Sequence, residues 1–353
     1  MRAQLAATGV TAVDRVILAN ATNAGNVARA AALAAGLGAE TPASTVNNQC
    51  SGGLTALRMA AESIWAERAD LVLAGGVESV SHTVVRLEGR ASRRSAAEAP
   101  LPRVPHGPPG WPNPEMGPSA DATAALLGID REAQDAFAQR SYARAAAARA
   151  AGLLDGCRVA IPLPGGAVAD DELATRPAPT LERLRRYPPA FGAGGTVTVG
   201  NCAAAADGAA VALLGSQQGL DAAGLQPLTR VLVAVPAAGD PDLPALAVIP
   251  AIERALREAR LEPGDIDLWE INEAFAVKVV AAMRHFDIDL ERMNVLGGAI
   301  AFGHPFAASG AILLAHLLVA LEAQGAHRGL LAIAGAGGVA EAMIVERDDR
   351  ARR

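Results

Sequence analysis

Three segments of this chain recur in the same order, offset by about 250 to 260 residues. GVTAVDRVILAN (Gly9–Asn20) resembles EPGDIDLWEIN (Glu262–Asn272). CSGGLTAL (Cys50–Leu57) lies opposite AASGAILL (Ala307–Leu314), and ADLVLAGG (Ala69–Gly76) opposite RGLLAIAG (Arg328–Gly335). Each match is weak alone, but three in one order at a near-constant spacing read as two copies of one unit. The units alternate strand and helix, which argues for an α/β fold. Two such units pack as a layered sandwich of sheets and helices with a site between them.

The strands and helices follow from apolar patterning. Val13–Ala19 reads as a strand and Val27–Ala35 as an alanine-rich helix. A β-like run at Ser44–Val46 leads through Cys50 into a helical pattern carrying Leu54, Leu57, Ala61 and Ile64 on one face. Ala69–Ala74 is a buried strand. From about Arg86 to Pro118 the chain turns rich in Pro, Gly and Arg. Asp130–Ala151 is a helix with Asp130 as its cap, and 162–193 is again irregular. Together these make an insertion, 86–194, in the first unit. Sheet-like material returns at Thr196–Leu214, then strands at Leu228–Val235 and Asp267–Ile271, with a helix at Pro250–Ala259 between them and another from Glu273 to about His285. The organisation expected is 1–85 with 195–235 as the first unit, 86–194 as the insertion, and 236–353 as the second unit.

Composition excludes some classes. The 353 residues carry a net charge of −6, so there is no basic footprint for nucleic acid. Lys278 is the only lysine among many arginines, which reads as base composition of the gene. The three cysteines, 50, 157 and 202, have neither metal nor disulfide spacing, and suit a reducing cytoplasm. No signal peptide is visible, and no run of 18 or more apolar residues free of charge or turn signals. The expectation is a cytoplasmic protein with no membrane, nucleic-acid or metal partner.

Three residues carry chemistry. Cys50 falls at a strand-to-helix turn, at the positive end of a helix dipole, a position that favours thiolate and so makes a nucleophile. Ser51, Gly52 and Gly53 leave room for a substrate. Asn272 sits where a strand passes into a helix, where its amide can hold a water or donate to an oxyanion; a helix cap is the competing role. His304 lies in GGAIAFGHP, where Pro305 disfavours helix and the glycines leave space, so it can polarise a carbonyl or exchange a proton with a thiol. His82, His106, His285, His316 and His327 lack such flanks.

Cys50 in NNQCSGG, Asn272 in NEAFA and His304 in GGAIAFGHPFAASG resemble the signature segments of the thiolases, acyl-CoA C-acyltransferases. The resemblance runs over nearly the whole chain, including AGGVES, REAQDAFAQRS and GNCAAAADGAA. It implies the thiolase-like αβαβα sandwich, with the insertion as a loop domain carrying coenzyme A and tetramer contacts. It implies ping-pong acyl transfer through an acyl-Cys50 intermediate, in thiolysis of 3-ketoacyl-CoA or condensation of acyl-CoAs, within fatty acid and lipid metabolism. His304 would activate Cys50 and, with a water held by Asn272, form one oxyanion hole. Backbone N–H groups of Cys50 and Ala336 would form another, and Gly303 and Met116 would touch substrate. Coenzyme A enters as cosubstrate, with no bound cofactor and no metal; the protein would be a homodimer or homotetramer.

The family pattern is broken in places. A second reactive cysteine is expected in the C-terminal loop, and Ala334 stands at that position. Such a group is typically worth about 10²–10⁴ in rate. The chain begins at the family's second strand, so either the start is misassigned or the first sheet is incomplete. DPDLPALAVIPA replaces a Met-Gly-x-Gly-Pro pattern, and Glu115 stands where some acetoacetyl-specific members have His. These departures keep two further readings open: a decarboxylating or acyl-transferring relative, and a non-catalytic acyl-CoA-binding subunit.

Overall fold

The computed structural model describes residues 1–23, 25–83, 105–162, 168–169, 171 and 173–347; the Pro- and Arg-rich stretch at 86–104 lies outside them. In chain order the elements are α1 (Arg2–Thr8), β1 (Arg15–Ala19), α2 (Val27–Ala34), β2 (Ala43–Val46), α3 (Gly52–Trp65) and β3 (Leu71–Glu78), then α4 (Met116–Leu127), α5 (Arg131–Ala150), β4 (Ile161–Pro162), β5 (Val168–Ala169) and α6 (Leu181–Arg185). They continue with β6 (Gly208–Gly215), α7 (Gln217–Ala223), β7 (Thr229–Ala238), α8 (Val248–Ala259), β8 (Leu268–Ile271), α9 (Ala276–Phe286), α10 (Ala299–Phe302), α11 (Ser309–Gln324), β9 (Arg328–Gly335) and β10 (Val339–Arg347).

Two four-stranded sheets form, ordered β2-β1-β3-β6 and β7-β10-β9-β8. The repeat is visible in their pairing. β1 and β3 run parallel with β3 antiparallel to β6; β8 and β9 run parallel with β9 antiparallel to β10. The repeated Cys50 and Ala307 segments open α3 and α11, which pack on each other between the two sheets. α2 covers the outer face of the first sheet and α8 that of the second, giving five layers of helix, sheet, helix, sheet, helix. The second sheet has one strand, β7, with no counterpart beside β6 among the described residues. β7 hydrogen-bonds along β10, so residues 229–235, expected in the first unit, join the second. The sheet-like reading of Thr196–Leu214 also shrinks: only Gly208–Gly215 is a strand. The stretch before it leaves the sheet to run beside His304, where Ala204 O accepts from His304 N at 2.8 Å.

The close packing of α3 and α11 is a glycine effect. A Cβ added to Gly53 would stand 2.5 Å from the Ala307 carbonyl oxygen, and one on Gly310 would stand 2.2 Å from Leu54 N. Only residues without side chains let the two backbones approach this closely. The helical stretch Phe306–Gln324 is long and apolar enough, on length and composition alone, to span a bilayer. In the fold it is the central helix, with Leu313, Leu317, Ala320 and Leu321 buried against strands of both sheets. Most of its residues are buried, which accounts for the missing polar face; Ile312, Ala315, Leu318 and Val319 are half-buried.

Among the described residues of the insertion, Met116–Leu127 forms a helix, α4, that begins within the stretch read as irregular. Asp130 caps α5 as expected, accepting from Ala133 N at 2.8 Å. α5 packs on α9 and α10, and α4 on α9, so the insertion lies against the segment that follows Asn272.

Candidate active site

Cys50 sits two residues before α3, half-buried, at the end of a turn in which Gln49 has a φ of 52°. A non-glycine residue there is strained, and the turn is held by Ser51 N and Gly52 N donating to the carbonyls of Asn48 and Gln49. The turn between β9 and β10 closes over it: a Cβ on Gly335 would be 3.3 Å from Cys50 N. Ala336 follows in the same turn and is buried. Ala334 is 3% exposed and packs with Ala276, Ala332 and Ala340 in the core of the second unit.

Asn272 leaves β8 with its N–H donating to Ala332 O at 3.1 Å. The residues on either side are pinned. Asn294 exchanges hydrogen bonds with both backbone groups of Ile271, and the Glu273 carboxylate accepts from Ser141 Oγ, Asn294 Nδ2 and Ile300 N. The helix expected from Glu273 begins only at Ala276, with Phe275 at the cap position. Asn272 is therefore not a helix cap. Its Oδ1 accepts from Ala274 N at 3.2 Å and from Lys278 Nζ at 2.8 Å. A lysine ammonium only donates, so the carboxamide oxygen must face Lys278, and its NH2 then faces His304 Nδ1 at 3.4 Å.

His304 is 5% exposed. Its backbone is stitched to residues 204–206 and its Nδ1 lies 2.7 Å from Ser309 Oγ. Gly303, just before it, has a φ of 89°, and a side chain there would strike Leu173 and Ala206. With Nδ1 held, Nε2 is the nitrogen left for chemistry, and it is buried without a hydrogen-bond partner. Such orphaned atoms in a close-packed interior ask for an explanation; an incoming polar atom supplies one.

The electrostatics correct one expectation. Burial pushes the Cys50 thiol up to about 11, against a smaller downward pull from Lys278. Burial, and secondly the Lys278 charge, hold His304 down at about 3. At neutral pH the resting pair is thiol and neutral imidazole; desolvation, the largest influence on Cys50, works against the thiolate expected from its place before a helix. Lys278 is the group sequence reasoning missed. It is 2% exposed, in the first turn of α9, and its uniqueness in the chain, read as composition, was the signal available.

His316 and His285 have partners of their own elsewhere in the fold: His316 packs edge-on to Phe302, and His285 meets Glu253 on the surface. His106 approaches the β9–β10 turn: a Cβ on Gly337 would be 3.1 Å from its own Cβ. Met116 opens α4, half-buried against the cluster holding Phe275, Ala274 and Cys202. Among the described residues no cluster of His, Cys, Asp or Glu could hold a metal ion.

Comparison with known proteins identifies the family. Residues 1–218 match the thiolase N-terminal domain and 225–347 the thiolase C-terminal domain. An acetyl-CoA acetyltransferase of Cupriavidus necator is 38% identical over 346 residues, 95% of this chain and 88% of that protein. The 3-oxoadipyl-CoA/3-oxo-5,6-dehydrosuberyl-CoA thiolase of Escherichia coli is 37% identical over 358 residues, 95% of this chain and 88% of its own. The crystal structure of the Bacillus anthracis acetyl-CoA acetyltransferase superposes with a TM-score of 0.92 at 32% identity, covering 98% of this chain and 91% of the other. With both halves matched and the five-layer fold shared, the chain belongs to the thiolase family.

Proposed function

We propose that the protein is a thiolase-type acyl-CoA C-acyltransferase working through an acyl group on Cys50. One observation carries the assignment of roles: His304 Nε2 is buried and unpartnered while Nδ1 is held by Ser309 and faced by Asn272. In the first half-reaction the Cys50 sulfur bonds to the carbonyl carbon of an acyl-CoA, or to the 3-keto carbon of a 3-ketoacyl-CoA. Its proton passes to Nε2 as that bond forms. The imidazolium N–H then donates to the carbonyl oxygen as charge develops there, and a water held by Asn272 would be the second donor of that oxyanion hole. The bond to the leaving group then breaks: a coenzyme A thiolate takes the proton back from Nε2, whereas the enolate of a shortened acyl-CoA is protonated at its α-carbon by another group or water, and Nε2 keeps its proton until Cys50 is released as a thiolate in the second half-reaction. In the second half-reaction coenzyme A or a second acyl-CoA takes the acyl group from Cys50, giving ping-pong kinetics.

Backbone N–H groups of Cys50 and Ala336 would hold the second oxyanion, and Gly303 and Met116 would border the acyl-CoA. Ala334 offers no titratable group, so the proton at the substrate α-carbon must be moved by another group or by water. The full reading is a cytoplasmic homodimer or homotetramer with coenzyme A as cosubstrate and no resident cofactor. The test is thiolysis of acetoacetyl-CoA and of a longer 3-ketoacyl-CoA, with intact mass measured on the same samples. Turnover and an acyl adduct, both absent in Cys50→Ala, are expected. A folded protein showing neither would overturn the assignment.

A further inference from the structure

Lys278 is the part of the site that neither the repeat nor the signature segments account for. Its stem is enclosed in the first turn of α9, and its Nζ reaches Asn272 Oδ1 at 2.8 Å. Among the described residues it makes no ion pair. Glu273 is the carboxylate whose charge acts on it, and that group is already taken by Ser141, Asn294 and the Ile300 N–H. A buried ammonium without a counter-ion is costly, and the start of a helix adds to the cost. Packing gives no reason for it, since an apolar side chain of the same length would fill the space.

We propose that Lys278 is a positioning residue of the acyl-cysteine site: its ammonium locks the Asn272 carboxamide with the NH2 toward His304, and supplies the positive charge against which Cys50 becomes an anion. The proposal rests on the reading of Cys50 as nucleophile. The ionisable groups facing Lys278 are Cys50 from the turn before α3, His304 from the loop before α11, and Glu273 from the loop before α9. α5, packed on α9, brings Asp135 and Arg144. Asp135 is occupied by Arg131 and Asn201, and Arg144 by Glu291 and the Met293 carbonyl. Asp121 on α4 accepts from the N–H groups of Thr196 and Val197.

The charge acts with opposite sense on the two reacting groups. It lowers the cost of a thiolate on Cys50 and raises the cost of an imidazolium on His304. The same charge therefore favours the anion that forms on Cys50 as its proton passes to Nε2, and favours release of that proton from Nε2 afterwards. Burial brings Lys278 itself down to about 8, so this charge is present at neutral pH and is withdrawn in mild alkali.

Two measurements test this. Because Lys278 is the only lysine, protein labelled with [ε-13C]lysine gives one side-chain resonance. Its titration midpoint should lie near 8 rather than about 10.4, and should move when Cys50 is alkylated with iodoacetamide. Independently, the rate of Cys50 alkylation, followed on its own peptide at pH 7.5, is compared in wild type, Lys278→Gln and Lys278→Arg. Gln keeps a donor for Asn272 and drops the charge; Arg keeps the charge. The Gln variant should react at least about tenfold more slowly, the effect of one pKa unit on the thiolate fraction, and Arg should restore most of the rate. Unchanged alkylation in folded Lys278→Gln, or a lysine midpoint above 10 that ignores Cys50, would overturn the proposal. If the variants do not fold, the titration of the unaltered protein decides. A coupled Lys278 in a protein whose Cys50 takes no acyl group from acyl-CoA would instead remove the acyl-transfer reading and leave the electrostatic one.

Discussion

Gly53→Ala isolates what the α3–α11 contact does for catalysis. The added Cβ would lie 2.5 Å from the Ala307 carbonyl oxygen and 3.3 Å from the Gly310 and Ala311 nitrogens. All three are backbone atoms, so no side chain can swing away. To bring the oxygen contact to the 3.0–3.4 Å at which real Cβ contacts begin, the helices must separate by about 0.5–0.9 Å. Two effects on stability oppose each other. Overpacking costs roughly 1–3 kcal/mol, whereas replacing a helical glycine by alanine recovers about 1 kcal/mol. The net loss is thus about 0–2 kcal/mol, which leaves the protein folded. Activity has no such offset. Cys50 precedes α3 and His304 precedes α11, so the separation is transmitted to the reacting pair, and a displacement near 1 Å is worth about 10²-fold in rate. The assay is kcat/KM for acetoacetyl-CoA thiolysis, alongside thermal unfolding, with Gly156→Ala, which meets open space, as control. A Gly53→Ala enzyme within twofold of wild type would refute the argument that this helix contact sets the site geometry.

Other consequences follow from the same geometry. Asn272→Asp exchanges the NH2 facing His304 for a carboxylate beside Lys278; turnover should fall by about 10²–10³, the worth of one oxyanion donor, while Cys50 remains alkylatable. Ser309→Ala removes the hydroxyl 2.7 Å from His304 Nδ1 and should cost about 1 kcal/mol of stability together with a lower kcat, read by denaturant unfolding and steady-state kinetics. His304 and His316 are held at about 3 and about 4, below the 6.5 of a free imidazole, chiefly by burial. Between those values and 6.5 the unfolded chain binds protons that the folded one does not, so stability is complete above about 6.5 and is lost as pH falls. At pH 5.5 the two together should remove about 3 kcal/mol relative to pH 7.5, with His316→Gln abolishing about half; stability that holds or rises on acidification would contradict the buried, neutral state of both.

The architecture was legible because it is written twice. The Gly9 and Glu262 segments became β1 and β8, the Cys50 and Ala307 segments the heads of α3 and α11, and the Ala69 and Arg328 segments β3 and β9. Periodicity and repetition are properties of many residues at once, so single misreadings average out. Boundaries that depend on partners were not legible. β7 reads as a strand in sequence, but only its pairing along β10 assigns it to the second sheet. Likewise 196–207 has strand-like composition, yet its backbone is spent against Ala274 and His304 and not in a ladder.

The site divides along the same line. Cys50 and His304 stand in glycine- and proline-marked turns, and Asn272 at a strand end before a helix, so local sequence announces displayed side chains. Their ionisation did not follow from those turns. A helix dipole is a local quantity that can be read from a strand-to-helix pattern, but desolvation sums over everything packed around the atom, and it is the largest influence raising Cys50 here. Lys278 lay beyond reach for a related reason. Six residues separate it from Asn272, a spacing with no helical meaning until the helix is known to start at Ala276 and not at Glu273. That delayed start bends residues 273–275 around the Glu273 anchor and returns the first turn of α9 to face the carboxamide it has just left. A charge placed by such a detour is expensive to bury and tied to the one amide beside the histidine. The fold therefore spends stability at the point where an anion has to form, as expected where local rules give way at a working site.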